Sequence, residues 1–364
     1  MKPFCVWQRT KKFQLHGSFV TQSTSILPQI NRFFIRSKNS EFMTRPRVAS
    51  FFSGIGGFDL AFEKAGFEVT FQCEVDSYCN DILSHHWPKV KKSKDIKELT
   101  YEEIPTSDVW CAGFPCQDVS LARARPRAGL KGERSGLFYQ FAELVSQGLP
   151  RIVVLENVPG LLNSHEGRDF AIIIRTLAEL GYGVGWRVLN SKHFGVPQSR
   201  QRVFIVGCHR DWRRAGQILF EPERGAGHLE KGRKPGEKSL SPFRECATPT
   251  SPERTEAILN GHTPYVPKLA FCLAATSGRH TGTDWSRTYV SYKKDVRRLT
   301  PEECERLQGF PADWTQPTNL FDDPDEIDSL RYAALGNAVS VPVARWLAQR
   351  ILASETVRLL QKSA

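Results

Sequence analysis

Cys116 stands in Ala112-Gly113-Phe114-Pro115-Cys116-Gln117, directly after the apolar run Val109–Ala112. A cysteine delivered by a strand into such a turn sits at the carboxyl edge of an α/β sheet, where ligands bind. The commoner fate of a cysteine is a buried structural thiol. Two features weigh against that fate. Gly113 and Pro115 mark a rigid turn rather than a packed helix, and Arg123, Arg125, Arg127, Lys131 and Arg134 follow closely. Positive charge favours thiolate, the nucleophilic form, so the chemistry indicated is covalent attack by sulfur.

A second set of residues points to a nucleoside. Phe52-Ser53-Gly54-Ile55-Gly56-Gly57-Phe58 follows a strand and opens a helix. Glycines there allow turn geometries that a Cβ hinders and let a ligand approach the backbone. The segment lacks the full GxGxxG spacing, and by itself it equally describes an ordinary strand-to-helix turn. Glu74 closes the second strand, where a carboxylate can accept hydrogen bonds from both hydroxyls of a ribose. Asp95-Ile96 follows, a carboxylate and an apolar side chain suited to an adenine. In this order Phe52, Gly54, Gly56, Gly57, Glu74, Asp95 and Ile96 favour an adenosine-bearing cofactor.

The elements that must position these residues are legible as an alternation. Val48–Phe52 reads as a strand, followed by a helix to about Gly66, then strands at Glu68–Glu74 and Val109–Ala112. Leu137–Gln147 is helical, Ile152–Glu156 a short buried strand, Ala171–Leu180 a helix, and Gly185–Asn190 and Val203–Cys208 strands. Strands alternating with helices predict an α/β domain with a largely parallel sheet. The rhythm stops between about His209 and Arg297, where Glu221–Pro252 is rich in Gly, Pro and charge; short strands and irregular structure are expected there. Helical pattern returns at Pro301–Leu307, with Thr300 and Glu303 placed as a cap, and at Val341–Leu360, a helix expected to pack back on the first lobe. Residues 1–42 carry seven basic residues against Glu41 alone and keep no period. They read as a dispensable extension ahead of Met43, a transit peptide being the alternative.

Bulk properties agree with a folded, nucleic-acid-directed protein. The 364 residues are 40% hydrophobic and 24% charged, with a formal net charge of +11. That excess suits a polyanion. Nine cysteines without a CxxC pair exclude the usual structural zinc patterns and read as reduced intracellular thiols. No apolar run approaches the roughly 20 residues needed to cross a bilayer.

Phe52–Phe58, Gly113–Gln117, Glu156-Asn157-Val158, Gln198-Ser199-Arg200-Gln201-Arg202, Leu307–Pro311 and Gly336-Asn337-Ala338-Val339 together resemble the ordered motifs of the cytosine-C5 DNA methyltransferases. The resemblance runs from about Arg47 to Leu352. It implies a doubly wound, Rossmann-like S-adenosylmethionine-dependent sheet with a smaller, irregular β-containing target-recognition domain. The catalytic domain would span 43–208, the recognition domain 209–297, and residues 298–364 would complete the first. It implies Cys116 as the nucleophile on C6 of an extruded cytosine, Glu156 as the acid at N3 and N4, and Arg200 on the cytosine carbonyl. Arg202 would brace the loop or the Glu156 strand. Gln198, two residues before Arg200 on an extended run, would share its face and role. Pro115, Leu137, Asn337 and Val339 would join the cofactor side, Asn337 and Val339 lying against the cofactor or the glycine turn. No metal is implied. Residues 118–135, with Gly129 and Gly132, would close over the extruded base.

Double-stranded DNA is the implied partner, with phosphate contacts from Arg210, Arg213, Arg214, Arg279, Arg287, Lys293 and Lys294 and base contacts from Ser277, His280 and Thr281. A cytoplasmic monomer, bacterial or phage-encoded, protecting DNA from a restriction endonuclease is the expected setting. Three rivals remain at this level. A tRNA-directed enzyme of the same fold usually carries a Pro-Pro-Cys context rather than Phe114-Pro115-Cys116. A silent DNA-binding regulator would have kept the scaffold without activity, and a thiol redox enzyme would need a partner cysteine.

Overall fold

Continuous apolar runs become strands buried on both sides, as a sheet covered by helices on each face requires. β1 (Arg47–Phe51), β4 (Val109–Ala112) and β5 (Ile152–Asn157) are buried at nearly every position. β2 (Glu68–Cys73), β3 (Lys91–Ser93), β6 (Tyr182–Asn190) and β7 (Gln201–His209) complete a seven-stranded sheet of order β3-β2-β1-β4-β5-β7-β6. The first five strands are mutually parallel, and β7 runs antiparallel between β5 and β6. The expected doubly wound sheet is thus present, with one reversed strand near its edge.

The computed structural model describes residues 45–115, 136–221, 267–276, 287–291, 296–316 and 324–363, in the last stretch with the side chains of 326–355. Residues 1–42, Cys116 with the loop through residue 135, Arg279, Ser277, His280, Thr281, Lys293, Lys294 and nearly all of Glu221–Pro252 lie outside the described residues.

Alternate residues of each strand feed two cores. Val48, Val109, Cys111, Val154 and Val206 pack with α1 (Gly57–Ala65), α2 (Ser77–His86), α5 (Trp212–Leu219) and α8 (Val341–Ser363). Phe51, Trp110, Val153, Leu155 and Ile205 pack on the opposite face with α3 (Leu137–Gly148) and α4 (Arg168–Glu179). Helix α8 lies on α1 and α5, so the C-terminal segment returns to the first lobe as expected.

Three features depart from the sequence reading. Helix α2 was not anticipated; its start is fixed by Asp76, whose carboxylate accepts from Cys79 N–H at 2.9 Å. Helix α7 (Pro324–Asn337) was likewise not anticipated. Helix α5 falls inside the stretch assigned to the recognition domain, yet Ala215, Ile218 and Leu219 are buried in the sheet core. A domain boundary at residue 209 therefore cuts into the α/β lobe. Arg214, expected to meet phosphate, is 5% exposed and pairs with Glu355 and with Ser354 Oγ at 3.1 Å. Its charge is consumed inside the lobe. Short strands do occur in the second region, as an antiparallel pair β8 (Tyr289–Ser291) and β9 (Val296–Arg298). Helix α6 (Pro301–Gln308) starts with the anticipated cap: Thr300 Oγ accepts from Glu303 N–H at 3.2 Å and Glu303 Oε2 from Thr300 N–H at 2.8 Å.

Candidate active site

The chain steps outward from β1 to β2 and β3, then returns to lay β4 on the other side of β1. That reversal opens a crevice at the carboxyl ends of β1 and β4, the place where open α/β sheets bind ligands. The glycine turn leaves β1 on one side of it, and Gly113-Phe114-Pro115 leaves β4 on the other. Gly113 N–H donates to Phe51 O at 3.4 Å, so the two exits are adjacent. Cys116 is the next residue after Pro115.

The glycine turn is held from within. Phe52, Gly54 and Gly56 take positive φ angles of 54°, 54° and 80°. Gly54 N–H donates to Glu74 Oε2 at 2.7 Å and Asp76 N–H to Glu74 Oε1 at 2.9 Å, bringing the β2 carboxylate to the turn. Burial pushes the Glu74 carboxyl above its ordinary range. Each oxygen keeps a lone pair for a further donor, as a ribose diol would supply. The glycines differ in what they make room for. A Cβ on Gly56 would stand 2.4 Å from the Trp87 ring, and one on Gly57 2.7 Å from Val339 Cγ1, whereas one on Gly54 would meet nothing within 4 Å. Gly56 and Gly57 are small for the protein's own packing; Gly54 leaves open space. The expected cradle fits a nucleoside, with Glu74 and Gly54 as its ready contacts.

The remaining cofactor-side residues divide. Val339 lies against the turn as expected, while Asn337 ends α7 with its side chain exposed. Ile96 is buried in the core, and Asp95 turns its carboxylate to Lys97 N–H at 2.9 Å. Leu137 begins α3 half-buried, and Pro115 is half-buried at the β4 exit. Sequence reasoning missed Trp87 and Trp314. Trp314 Nε1–H donates to Ile55 O at 2.9 Å and clamps the turn from outside. Only the long-range fold brings these indoles there, so no local pattern could reveal them.

Glu156 lies at the end of β5, 9% exposed. The β5 exit is tied to the Cys116 approach, because Asn157 Nδ2 donates to Phe114 O at 3.3 Å. Glu156 faces Phe204 across the β5–β7 pair, which puts Arg202 diagonally on the same face. Arg202 Nε pairs with Glu156 Oε1 at 3.1 Å, and that buried oxygen takes no well-aligned hydrogen bond among the described residues. Burial raises the Glu156 pKa, with Arg202 and then Arg200 opposing. A buried carboxyl with a raised pKa can hold a proton and give it to a base.

Arg200 requires correction. It is 2% exposed, and Nη1 donates to Leu273 O at 3.1 Å while Nη2 donates to Gly336 O at 3.1 Å and Ala338 O at 2.7 Å. A guanidinium committed to three main-chain carbonyls is a structural brace, not a contact for a base carbonyl. Gln198 does share its role, as the two-residue spacing suggested, but the role is structural. Its Nε2 donates to Leu307 O at 3.0 Å and its Oε1 accepts from Leu273 N–H at 3.0 Å. Together they fasten β7 to segment 267–276, to α6 and to the Gly336–Val339 turn. Arg202 is the arginine that reaches the site.

A further thiol, unremarked in the sequence, lies beside the arginines. Cys272 Sγ is 3.5 Å from Arg200 Nη1 and 3.9 Å from Arg202 Nη1. Burial pushes this thiol up, but Arg200 and Arg202 more than offset it, and its pKa falls below the ordinary value. It also lines a small cavity of about 30 Å³ with Arg287, Tyr289, Cys304 and Tyr332.

Residues 46–353 match the family model for the C-5 cytosine-specific DNA methylase. The chain is 34% identical over 333 residues to the type II methyltransferase M.MthTI of Methanothermobacter thermautotrophicus, covering 84% of this chain and 96% of that protein. It is 31% identical over 311 residues to the type II methyltransferase M.DsaV of Dactylococcopsis salina, covering 83% and 84%. In fold it is similar to the S. pombe Dnmt2 methyltransferase, with a TM-score of 0.61 at 19% identity over 87% of this chain and 99% of that one.

Proposed function

The chain belongs to the C-5 cytosine-specific DNA methylase family, and from that premise we propose that it methylates a cytosine swung out of duplex DNA through a transient bond from Cys116 to C6. The observation that carries this reading is the junction of three strand ends. The β4 exit that leads into Cys116 is hydrogen-bonded to the β5 exit that presents Glu156, and β7 sets Arg202 beside it. Cytosine C5 is a weak nucleophile, and thiolate addition at C6 makes it enamine-like, splitting one hard step into easier ones. The charge that builds on the ring during addition is met by the proton Glu156 holds toward N3. Arg202 keeps that carboxyl oriented and stands where a base carbonyl oxygen could be met. C5 would then take the methyl group, the donor's sulfur leaving as a neutral thioether, and the N3 proton would return to Glu156. Loss of the C5 proton to water and departure of the thiolate with the C6–S electron pair restore the ring and the free enzyme.

Gly54 and Glu74 would hold S-adenosylmethionine, whose bound form supplies an electrophilic methyl group. Extrusion of the base, needed because C6 is inaccessible in the stack, is part of the proposal. So is the setting: a monomer acting on duplex DNA in the cytoplasm, whose methyl marks shield a sequence from a cognate restriction endonuclease. Duplexes carrying 5-fluorocytosine at the target test the chemistry, because fluorine at C5 blocks the final elimination. The wild type should be trapped covalently in the presence of donor and Cys116→Ser should not. A methylating enzyme that is never trapped would refute the covalent route. Offering tRNA in parallel distinguishes the substrate, and bisulfite sequencing of DNA from expressing cells reads the target site.

A further inference from the structure

Beneath the glycine turn lies a carboxylate that the proposed chemistry does not use. Asp59, in the first turn of α1, has no exposed surface. Its Oδ1 accepts from Ser50 Oγ on β1 at 2.8 Å and from Gln72 Nε2 on β2 at 3.1 Å. Ser50 Oγ is 2.7 Å from Ser53 Oγ, and Ser53 begins the turn, its N–H donating to Cys73 O at 3.1 Å. A chain of two hydrogen bonds thus runs from Asp59 through Ser50 to Ser53 and the segment that would receive the donor. Asp59 Oδ2 and Gln72 Oε1 are both buried and take no hydrogen bond among the described residues.

The groups facing Asp59 are few. They are Ser50, Gln72, Cys111 on β4, Lys92 on β3, and Glu63 one turn along its own helix. Lys92 is the one cation among them, and its ammonium is hydrogen-bonded to Trp87 O and Val90 O. The charge of Asp59 is therefore uncompensated by a direct ion pair. Packing does not require it: an asparagine would keep Oδ1 and replace an unbonded oxygen by a donor. The α1 N-terminus favours an anion, as does a cationic ligand above.

We propose that Asp59 is a positioning residue for the methyl donor: its carboxylate fixes the turn at residues 53–57 through Ser50 and Ser53, and keeps a buried negative charge beside the turn that would receive a cationic donor. This rests on the reading of that turn as the donor site. Burial pushes the Asp59 pKa up to about 6, against Ser50 and Gln72, which lower it. As pH falls through that value the carboxyl is protonated, the acceptor for Ser50 weakens and the charge is lost. Donor affinity should fall with it.

The test is calorimetric titration of S-adenosylmethionine into the full-length protein without DNA, from pH 5.5 to 8.5, with a thermal melt of each unliganded sample. Wild-type affinity should be flat above pH 7 and weaken below 6, by at most about tenfold per pH unit. Asp59→Asn should melt no lower than wild type at pH 8, yet bind about tenfold more weakly, the loss of one buried charge interaction. Its acid limb should disappear or change its midpoint, any remaining limb being that of Glu74, whose pKa burial also raises. Ser50→Ala keeps the charge but cuts the link, so it should bind more weakly and move the limb to higher pH, since the carboxylate has lost a donor. Wild-type affinity at pH 8 in Asp59→Asn, or a limb there with an unmoved midpoint, overturns the proposal. If Asp59→Asn does not fold, the other two proteins decide: a wild type without a limb, or Ser50→Ala with an unmoved one, overturns it equally. A wild type that binds no donor at any pH overturns instead the assignment of the turn.

Discussion

Replacing Arg200 by methionine separates a brace from a catalytic contact, because the two roles predict losses in different quantities. The side chain is 2% exposed and donates to the carbonyls of Leu273, Gly336 and Ala338. Hydrogen bonds from a charged donor contribute about 1.5–3 kcal/mol each, and a buried carbonyl stripped of its donor bears a further desolvation cost. Methionine regains some of this by avoiding burial of a charge, which is expensive in itself; burial already pulls the Arg200 pKa down to about 10. The net expected loss is about 4 kcal/mol of unfolding free energy, a large part of a typical 5–15 kcal/mol. In a folded body of roughly 300 residues that corresponds to a fall in Tm of roughly 6 °C. Urea unfolding and a thermal melt measure it directly. Residual kcat, taken below the melting range and corrected for folded fraction, should fall far less than in Arg202→Gln, which should lose activity with about 1 kcal/mol or less of stability. An Arg200→Met protein as stable as wild type but inactive would refute the reasoning and return Arg200 to the substrate.

Three other outcomes follow from the same geometry. Glu156, whose pKa burial raises, is protonated below that raised value and loses its proton as pH climbs through it; kcat should therefore show an alkaline limb above the ordinary glutamate range, and Glu156→Gln should abolish the limb and lower kcat by about 10²–10⁴-fold. Cys272 should react with iodoacetamide faster than Cys73, Cys111, Cys208 or Cys304 in a Cys116→Ser background, because Arg200 and Arg202 favour its thiolate while burial pushes the other four up; peptide mass spectrometry after graded exposure gives the order, and equal rates would contradict it. Gly336→Ala would place a Cβ 2.2 Å from Ala275 N, so backbone must move, and urea unfolding should register a loss of about 1–3 kcal/mol or more.

What the sequence made legible follows from which interactions are local. Strands β1, β4 and β5 could be read because each is a short, continuous apolar run, and the α6 cap because Thr300 and Glu303 are three residues apart. Helix α2 was missed because its pattern is broken by polar residues and its start depends on Asp76 alone. Helix α5 was missed because Arg213, Arg214 and Gly216 dilute its apolar face, and the surrounding basic composition pointed to DNA instead. At the site, Val339 lies against the glycine turn as expected, and Glu74, read as a ribose acceptor, is hydrogen-bonded to that turn through Gly54 N–H. Arg200 and Arg202 illustrate the limit. Two arginines two apart on an extended run share a face, so spacing cannot say which is swallowed by carbonyls from residues 273, 336 and 338. That is decided by segments more than 70 residues away. The same distance hides Cys272, whose low pKa exists only because β7 is packed against its segment.

The reversal of β7 explains why these parts meet. A parallel strand in its place would present its carboxyl end at the crevice, with the preceding connection on the far side of the sheet. Running antiparallel, β7 enters at the carboxyl edge of β5 with Gln201 and Arg202, immediately after Gln198 and Arg200. The residues that brace segment 267–276 and the Gly336–Val339 turn are thereby continuous with the residue that reaches Glu156. Val339 in turn fills the space that Gly57 leaves at the glycine turn. Displacement of segment 267–276 would be felt by Arg200, then by the glycine turn on one side and by Arg202 on the other. Coupling of this kind is measurable as a double-mutant cycle between Gln198→Ala and Glu74→Gln, read in donor affinity. Residues in independent parts of the fold would add to within about 0.5 kcal/mol; an interaction energy above that is expected here. Strict additivity would show that the brace holds the fold together without reaching the donor.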